Sequence, residues 1–169
     1  HRGLPDREPD FRTRSSLYRL AVPGGARQRL TAGELSCRLE DISPDNKRLL
    51  ISRTILEPTV RPYSQIELSV LDLETLETRV IWKGSWLNSA QWLPDGKTWL
   101  MLGGPSLFGE LGVAVRKGRV PNEYDVQAYL FEPETKQATP LTRDFDPSLG
   151  RAEIGPAGDV IFFLTTDKA

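Results

Sequence analysis

The stretch Arg38-Leu39-Glu40-Asp41-Ile42-Ser43-Pro44-Asp45-Asn46-Lys47-Arg48-Leu49-Leu50-Ile51-Ser52 decides the fold, because it reads as two strands joined by one tight turn. Proline presets φ for the first corner, aspartate can bond its own backbone, and asparagine tolerates positive φ. The same unit returns as Ser89-Ala90-Gln91-Trp92, Leu93-Pro94-Asp95-Gly96-Lys97 and Thr98-Trp99-Leu100-Met101-Leu102. A looser third copy runs Ala152-Glu153-Ile154, Gly155-Pro156-Ala157-Gly158-Asp159 and Val160-Ile161-Phe162-Phe163-Leu164. Its Gly158, like Gly96 and Asn46, supplies a residue that can take positive φ at little cost. The turn prolines 44, 94 and 156 recur 50 and 62 residues apart, near the roughly 40–50 of propeller repeats once insertions are allowed for.

A second hairpin alternates with the first. Leu17 to Val22 turns at Pro23-Gly24-Gly25 and continues to Leu30-Thr31; Leu68 to Leu73 turns around Glu74-Thr75-Leu76-Glu77 and continues through Arg79 to Trp82; Ala128 to Phe131 turns around Glu132 to Lys136 and continues to Pro140-Leu141-Thr142. Naming the strands A–B and C–D gives the order C–D, A–B–C–D, A–B–C–D, A–B. The expected fold is therefore all-β, a partial β-propeller of about three blade equivalents of four antiparallel strands, with a β-sandwich as the structural runner-up. The expected organisation is an N-terminal extension (1–16), a half blade (17–31), blades at 36–83 and 89–142, and a half blade (151–166). Closed propellers have four to eight blades, so further blades of the same protein or of a partner are expected. A symmetric alternative is a six-bladed dimer in which the first hairpin of one copy completes the last hairpin of another.

Charge and composition exclude several classes. The 22 basic and 23 acidic residues leave a net charge of -1, which gives no global field for nucleic acid or an anionic membrane. One cysteine, Cys37, permits neither an internal disulfide nor a cysteine-rich zinc site and reads as a small buried apolar residue. No run approaches the ~18 apolar residues of a bilayer span. The chain starts at His1 rather than methionine, from which a trimmed or processed protein is expected.

The proline-turn segments at 43–50 and 93–97, with Leu17 to Thr31, resemble the WD40-like PD40 repeats of TolB-like propellers and of the N-terminal propellers of S9-type serine peptidases. The resemblance implies a propeller screening access to a following α/β-hydrolase domain, peptide or protein ligands, and a periplasmic or extracellular location. The only histidine is His1, so no Ser-His-Asp set can be assembled and no catalytic, metal or cofactor residue is expected. The adjacent glutamate pair that dipeptidyl members use for the substrate amine does not occur in this sequence.

The remaining motifs have plain readings. Gly104-Pro105-Ser106-Leu107-Phe108-Gly109 is one residue too long for a nucleophile elbow. Asp144-Phe145-Asp146-Pro147-Ser148 lacks the glycine and distal glutamate of a calcium loop and reads as a turn. Arg116-Lys117-Gly118-Arg119 reads as a solvated basic loop. Trp92 and Trp99 bracket one A–B turn and are expected to pack between blades, whereas Trp86, in a connection, is expected to be exposed.

Loop length points to a working surface. The A–B and C–D turns are short, while the two complete B–C connections, roughly Leu56 to Gln65 and Gly103 to Asp125, are long and belong to one face. Long unstructured connections are often functional. Arg53, Arg61, Tyr63, Phe108, Arg116 and Tyr124 are the candidate binding residues of that face.

Overall fold

The computed structural model describes residues 14–112, 122–145 and 147–165. Among these residues twelve strands form four antiparallel sheets in which sequence neighbours pair. Strands β1 (Tyr18–Leu20) and β2 (Arg27–Arg29) make a two-stranded sheet. Strands β3 (Cys37–Ile42), β4 (Arg48–Leu56), β5 (Ser64–Asp72) and β6 (Thr78–Gly84) make a complete blade. A second complete blade consists of β7 (Leu87–Trp92), β8 (Trp99–Gly103), β9 (Gln127–Glu132) and β10 (Gln137–Pro140). The last sheet pairs β11 (Leu149–Ile154) with β12 (Ile161–Thr165). The order C–D, A–B–C–D, A–B–C–D, A–B is the one read from the repeat.

The turns form as their residues dictate. Asp45 Oδ1 accepts the Ser43 hydroxyl at 2.5 Å and the Lys47 amide at 3.1 Å, while Asn46 takes φ 57°. Asp95 repeats the arrangement, accepting the Lys97 and Thr98 amides at 2.8 and 2.9 Å beside Gly96 at φ 67°. In the C–D hairpin of the first blade, Asp72 accepts the Glu74 and Thr75 amides. There the left-handed corner falls on Leu76 at φ 61°, and in the second blade on Lys136 at φ 61°.

Alternation along the strands builds the blade contacts. In β4, Leu50 joins the cluster between the two complete blades, whereas Leu49 and Ile51 point the other way, toward Leu17 and Leu30 of the β1–β2 end. In β8, Trp99 and Met101 face the first blade, and Leu100 and Leu102 face Leu149, Ala152 and Phe163 of the β11–β12 sheet. Each complete blade is therefore apolar on both faces, as stacked blades require. Every A–B pair carries one register shift, between Leu39 and Asp41, Leu87 and Ser89, and Leu149 and Arg151. Such bulges increase local twist.

Polar bonds tie the two complete blades along the inner strands. Arg38 Nη2 donates to the Asn88 carbonyl at 2.9 Å, and the Trp92 amide donates to Asp41 Oδ2 at 2.7 Å. At the outer side Lys136 Nζ donates to the Ile81 carbonyl. Both ends of the arc leave apolar side chains in solvent: Tyr18 and Leu20 at one, Phe162 and Leu164 at the other. Among the described residues the arc does not close.

Candidate functional site: the long-connection face

Three connections meet on one side of the two complete blades. The β4–β5 connection covers residues 57–63, shorter than the Leu56 to Gln65 span read from sequence, because Ser64 and Gln65 pair with Leu56 and Ile55 and extend the strands. Its chain is closed by the Glu57 amide on the Tyr63 carbonyl at 2.8 Å. The β6–β7 connection is Ser85 and Trp86, and Ser85 Oγ donates to the Ser64 carbonyl at 3.0 Å. The β8–β9 connection begins at Gly104, whose amide donates to the Trp86 carbonyl at 2.9 Å.

The candidate residues have different environments. Arg61 Nε donates to the Tyr63 hydroxyl at 2.9 Å, and its guanidinium carbon lies 5.6 Å from the Tyr63 ring centroid. Tyr63 and Tyr124 are 53% and 84% exposed. The Tyr124 carbonyl is held by Ser148 Oγ at 3.0 Å. Phe108 turns inward: it stacks on Phe131 at 5.4 Å and meets Tyr129 and Trp82 edge-on at 5.3 and 6.1 Å. Arg53 lies opposite Cys37 in the β3–β4 ladder; its Nη2 reaches the Ala32 carbonyl at 3.5 Å, and its buried Nε has no partner. Burial pushes the Cys37 thiol above its ordinary pKa, and the neighbouring Arg53 guanidinium opposes that rise. Arg116 lies outside the described residues, as does the rest of the Arg116 to Arg119 run. Arg61, Tyr63 and Tyr124 thus present themselves to solvent, whereas Phe108 is committed to packing.

Ser106 has a carboxylate, not an imidazole, as its partner. Its hydroxyl donates to Glu123 Oε1 at 2.5 Å and its amide to Oε2 at 3.1 Å. A carboxylate holding both groups fixes the 105–108 turn, and one 3₁₀ turn, Gly109–Leu111, follows. Tyr129 locks the turn from below, its hydroxyl donating to the Gly104 and Pro105 carbonyls at 3.1 and 3.3 Å. Burial, with a smaller contribution from the Glu123 charge, pushes the Tyr129 pKa up to about 12. Of the Asp144 to Ser148 stretch, Asp146 lies outside the described residues.

Two features escaped the sequence reading. A groove of about 910 Å³ runs between the complete blades on the opposite, short-turn face, lined by Arg48, Asp72, Arg79, Trp92, Lys97 and Glu134 among others. Arg48 bridges it, 3.6 Å from Asp45, 3.5 Å from the Gly96 carbonyl and 5.7 Å from the Trp92 ring centroid. Its walls come from turns about fifty residues apart, so no local spacing announces it. The second feature is the conformation of Trp86, whose exposure of 39% fits its place in a connection but whose positive φ no turn motif signals.

No family model matches the chain, and no curated protein matches it. Solved structures do. TolB from Acinetobacter baumannii is 20% identical with a TM-score of 0.60, over 89% of this chain and 32% of that one. Oligogalacturonate lyase from Vibrio parahaemolyticus is 16% identical with a TM-score of 0.57, over 96% of this chain and 40% of that one. The β-propeller domain of the Trilobed protease from Pyrococcus furiosus, at 22% identity over 73% of this chain and 32% of that one, has a TM-score of 0.45, too low to add weight. The chain spans about a third of the length of TolB. At these identities what is shared is the fold, and the fold of this chain is that of a partial β-propeller built like the blades of TolB.

Proposed function

We propose that this chain is a non-catalytic propeller region whose long-connection face receives polypeptide, and that in the parent protein it orients or gates peptide substrates for an S9-type hydrolase domain lying outside the chain. The observation that carries the proposal is the one-sided architecture: the long connections gather on a single face and hold Arg61, Tyr63 and Tyr124 in solvent. The Ser106–Glu123 pairing supports it, because a serine bonded to a carboxylate has no imidazole to take its proton. The uncovered apolar ends of the arc favour further blades of the same protein, with a second copy of the chain as the alternative source. A location outside the cytoplasm belongs to this proposal as an implication of the TolB resemblance.

The second reading is a TolB-like scaffold that binds a protein partner on the same face and has no chemistry attached. The fold likeness to TolB over 89% of the chain favours it. The test is the coding sequence on both sides of this region, translated in frame, followed by a peptide hydrolysis assay of the whole product. A downstream G-x-S-x-G with later aspartate and histidine, and hydrolysis abolished by changing that serine, is the expected result. Blades alone followed by a stop would overturn the peptidase reading and leave the scaffold.

A further inference from the structure

Four non-glycine residues among those described have positive φ: Asn46, Leu76, Trp86 and Lys136. Three sit at hairpin corners, where the left-handed conformation matches the twist of the flanking strands. Trp86, at φ 68°, does not, because β6 and β7 belong to different sheets. For a bulky side chain this region is unfavourable, and residues held there concentrate at working sites. The surroundings enforce it. The Trp86 carbonyl accepts the Gly104 amide at 2.9 Å, and a Cβ on Gly103 would fall 2.4 Å from that same oxygen. β8 therefore presses against the backbone of the connection, and the indole remains 39% exposed.

Trp86 is also the middle of a seam. On one side its neighbour Ser85 bonds to the carbonyl of Ser64, which follows Tyr63. On the other, Gly104 lies so close to Glu123 that a Cβ would be 2.8 Å from the Glu123 carbonyl oxygen, and Tyr124 comes next. Three exposed aromatic residues from three connections are thus strung together by direct contacts of their neighbours. Arg61 adds charge beside Tyr63, and no carboxylate pairs with it among the described residues. Tryptophan, tyrosine and arginine are the residue types that dominate the energetic centres of protein interfaces. The groove on the opposite face differs: its Arg48 is already engaged by Asp45, Gly96 and Trp92, and the carboxylates of Asp72 and Glu134 line it beside Arg79 and Lys97.

We propose that the long-connection face docks an extended polypeptide segment with apolar side chains beside a carboxylate, that Trp86 is its anchor, and that Arg61 meets the carboxylate. The proposal rests on the reading of this face as the working one and names the partner chemistry and the residue that reading lacked. The strain at Trp86 follows from holding the indole outward at a junction that glycine would occupy without penalty.

The test is a titration of the 169-residue chain, labelled at the tryptophan indole nitrogens, with an acetylated and amidated peptide Gly-Leu-Leu-Asp-Gly-Gly. The indole resonance of Trp86, identified by its loss in Trp86→Gly, is expected to shift saturably. Binding by calorimetry is expected to vanish in both Trp86→Gly and Trp86→Ala. It should weaken about tenfold, as one lost charge contact can cause, in Arg61→Glu or when the peptide carries lysine for aspartate. Tyr124→Ala, at a side chain almost wholly in solvent, should weaken binding without altering the fold. An indole resonance unmoved at millimolar peptide, or undiminished affinity in folded Trp86→Gly, would overturn the proposal. Loss of the hydrolase reading through the coding sequence would leave this result untouched, so the two fail separately.

Discussion

Tyr129 joins the blade core to the long-connection face, since its buried ring packs on Phe108 and its hydroxyl holds the Gly104 and Pro105 carbonyls. Its pKa is raised to about 12 in the fold against roughly 10 in an unfolded chain. A raised folded pKa gives stability that is complete below the unfolded value and is lost as pH rises through the folded one. Chemical denaturation should show a decline between these two values, and Tyr129→Phe should remove that component while costing about 1 kcal/mol at neutral pH through the lost hydrogen bonding. Backbone strain makes a second prediction. Leu76→Gly should raise stability by about 1 kcal/mol, and Trp86→Gly should be more stable than Trp86→Ala by about the same amount, because a left-handed L residue costs roughly 1–2 kcal/mol. Equal stabilities for the two Trp86 variants would mean that the connection relaxes. Sequence allowed for positive φ at Asn46, Gly96 and Gly158, where the residue type signals it; at Leu76, Trp86 and Lys136 the conformation is imposed by neighbours, and the residue type gives no sign.

At the scale of the element, the hairpin is where residue type and fold agree. Asp45 is held below the ordinary carboxylate range chiefly by the Ser43 hydroxyl, and Asp72 by the Thr75 and Glu74 amides. Asp95 is also lowered: burial alone would raise it, but the Lys97 and Thr98 bonds outweigh that. Depressed carboxylates contribute stability that is present above the unfolded value near 3.9 and lost as pH falls through the folded one. The denaturation midpoint should therefore drop on acidification below that value, and Asp45→Asn with Asp72→Asn should flatten the curve. Packing makes the complementary prediction: Ala90, fully buried among Leu50, Trp99 and Met101, leaves no room, so Ala90→Leu should cost about 1–3 kcal/mol. Leu100→Ala, emptying the cluster on the other face of the blade, should cost about 2–5 kcal/mol. The strand order was legible because proline turns alternate with apolar strands, whereas strand ends moved where polar residues kept pairing, as Ser64 and Gln65 do in β5. The course of 104–111 was not legible, since it depends on Tyr129 and Glu123 reaching back across the sequence.

Across the whole molecule the blades divide the surface into two unlike faces. The short-turn face holds the inter-blade groove, lined by Arg48, Arg79 and Lys97 together with Asp72 and Glu134. The long-connection face holds Arg61, Tyr63, Trp86 and Tyr124. Loop length indicated the second face from sequence, and of its six candidate residues the structure leaves Arg61, Tyr63 and Tyr124 available, turns Phe108 inward and places Arg53 beside Cys37, while Arg116 lies outside the described residues. The groove remained invisible because it exists only once two blades stack. These faces make opposite claims on any polypeptide ligand, and paired charge reversals separate them most directly. Calorimetry of the Gly-Leu-Leu-Asp-Gly-Gly peptide against Arg61→Glu and Arg79→Glu should show affinity reduced about tenfold by the first and unchanged by the second. Affinity reduced by Arg79→Glu and untouched by Arg61→Glu would move the working surface to the short-turn groove and contradict the central claim.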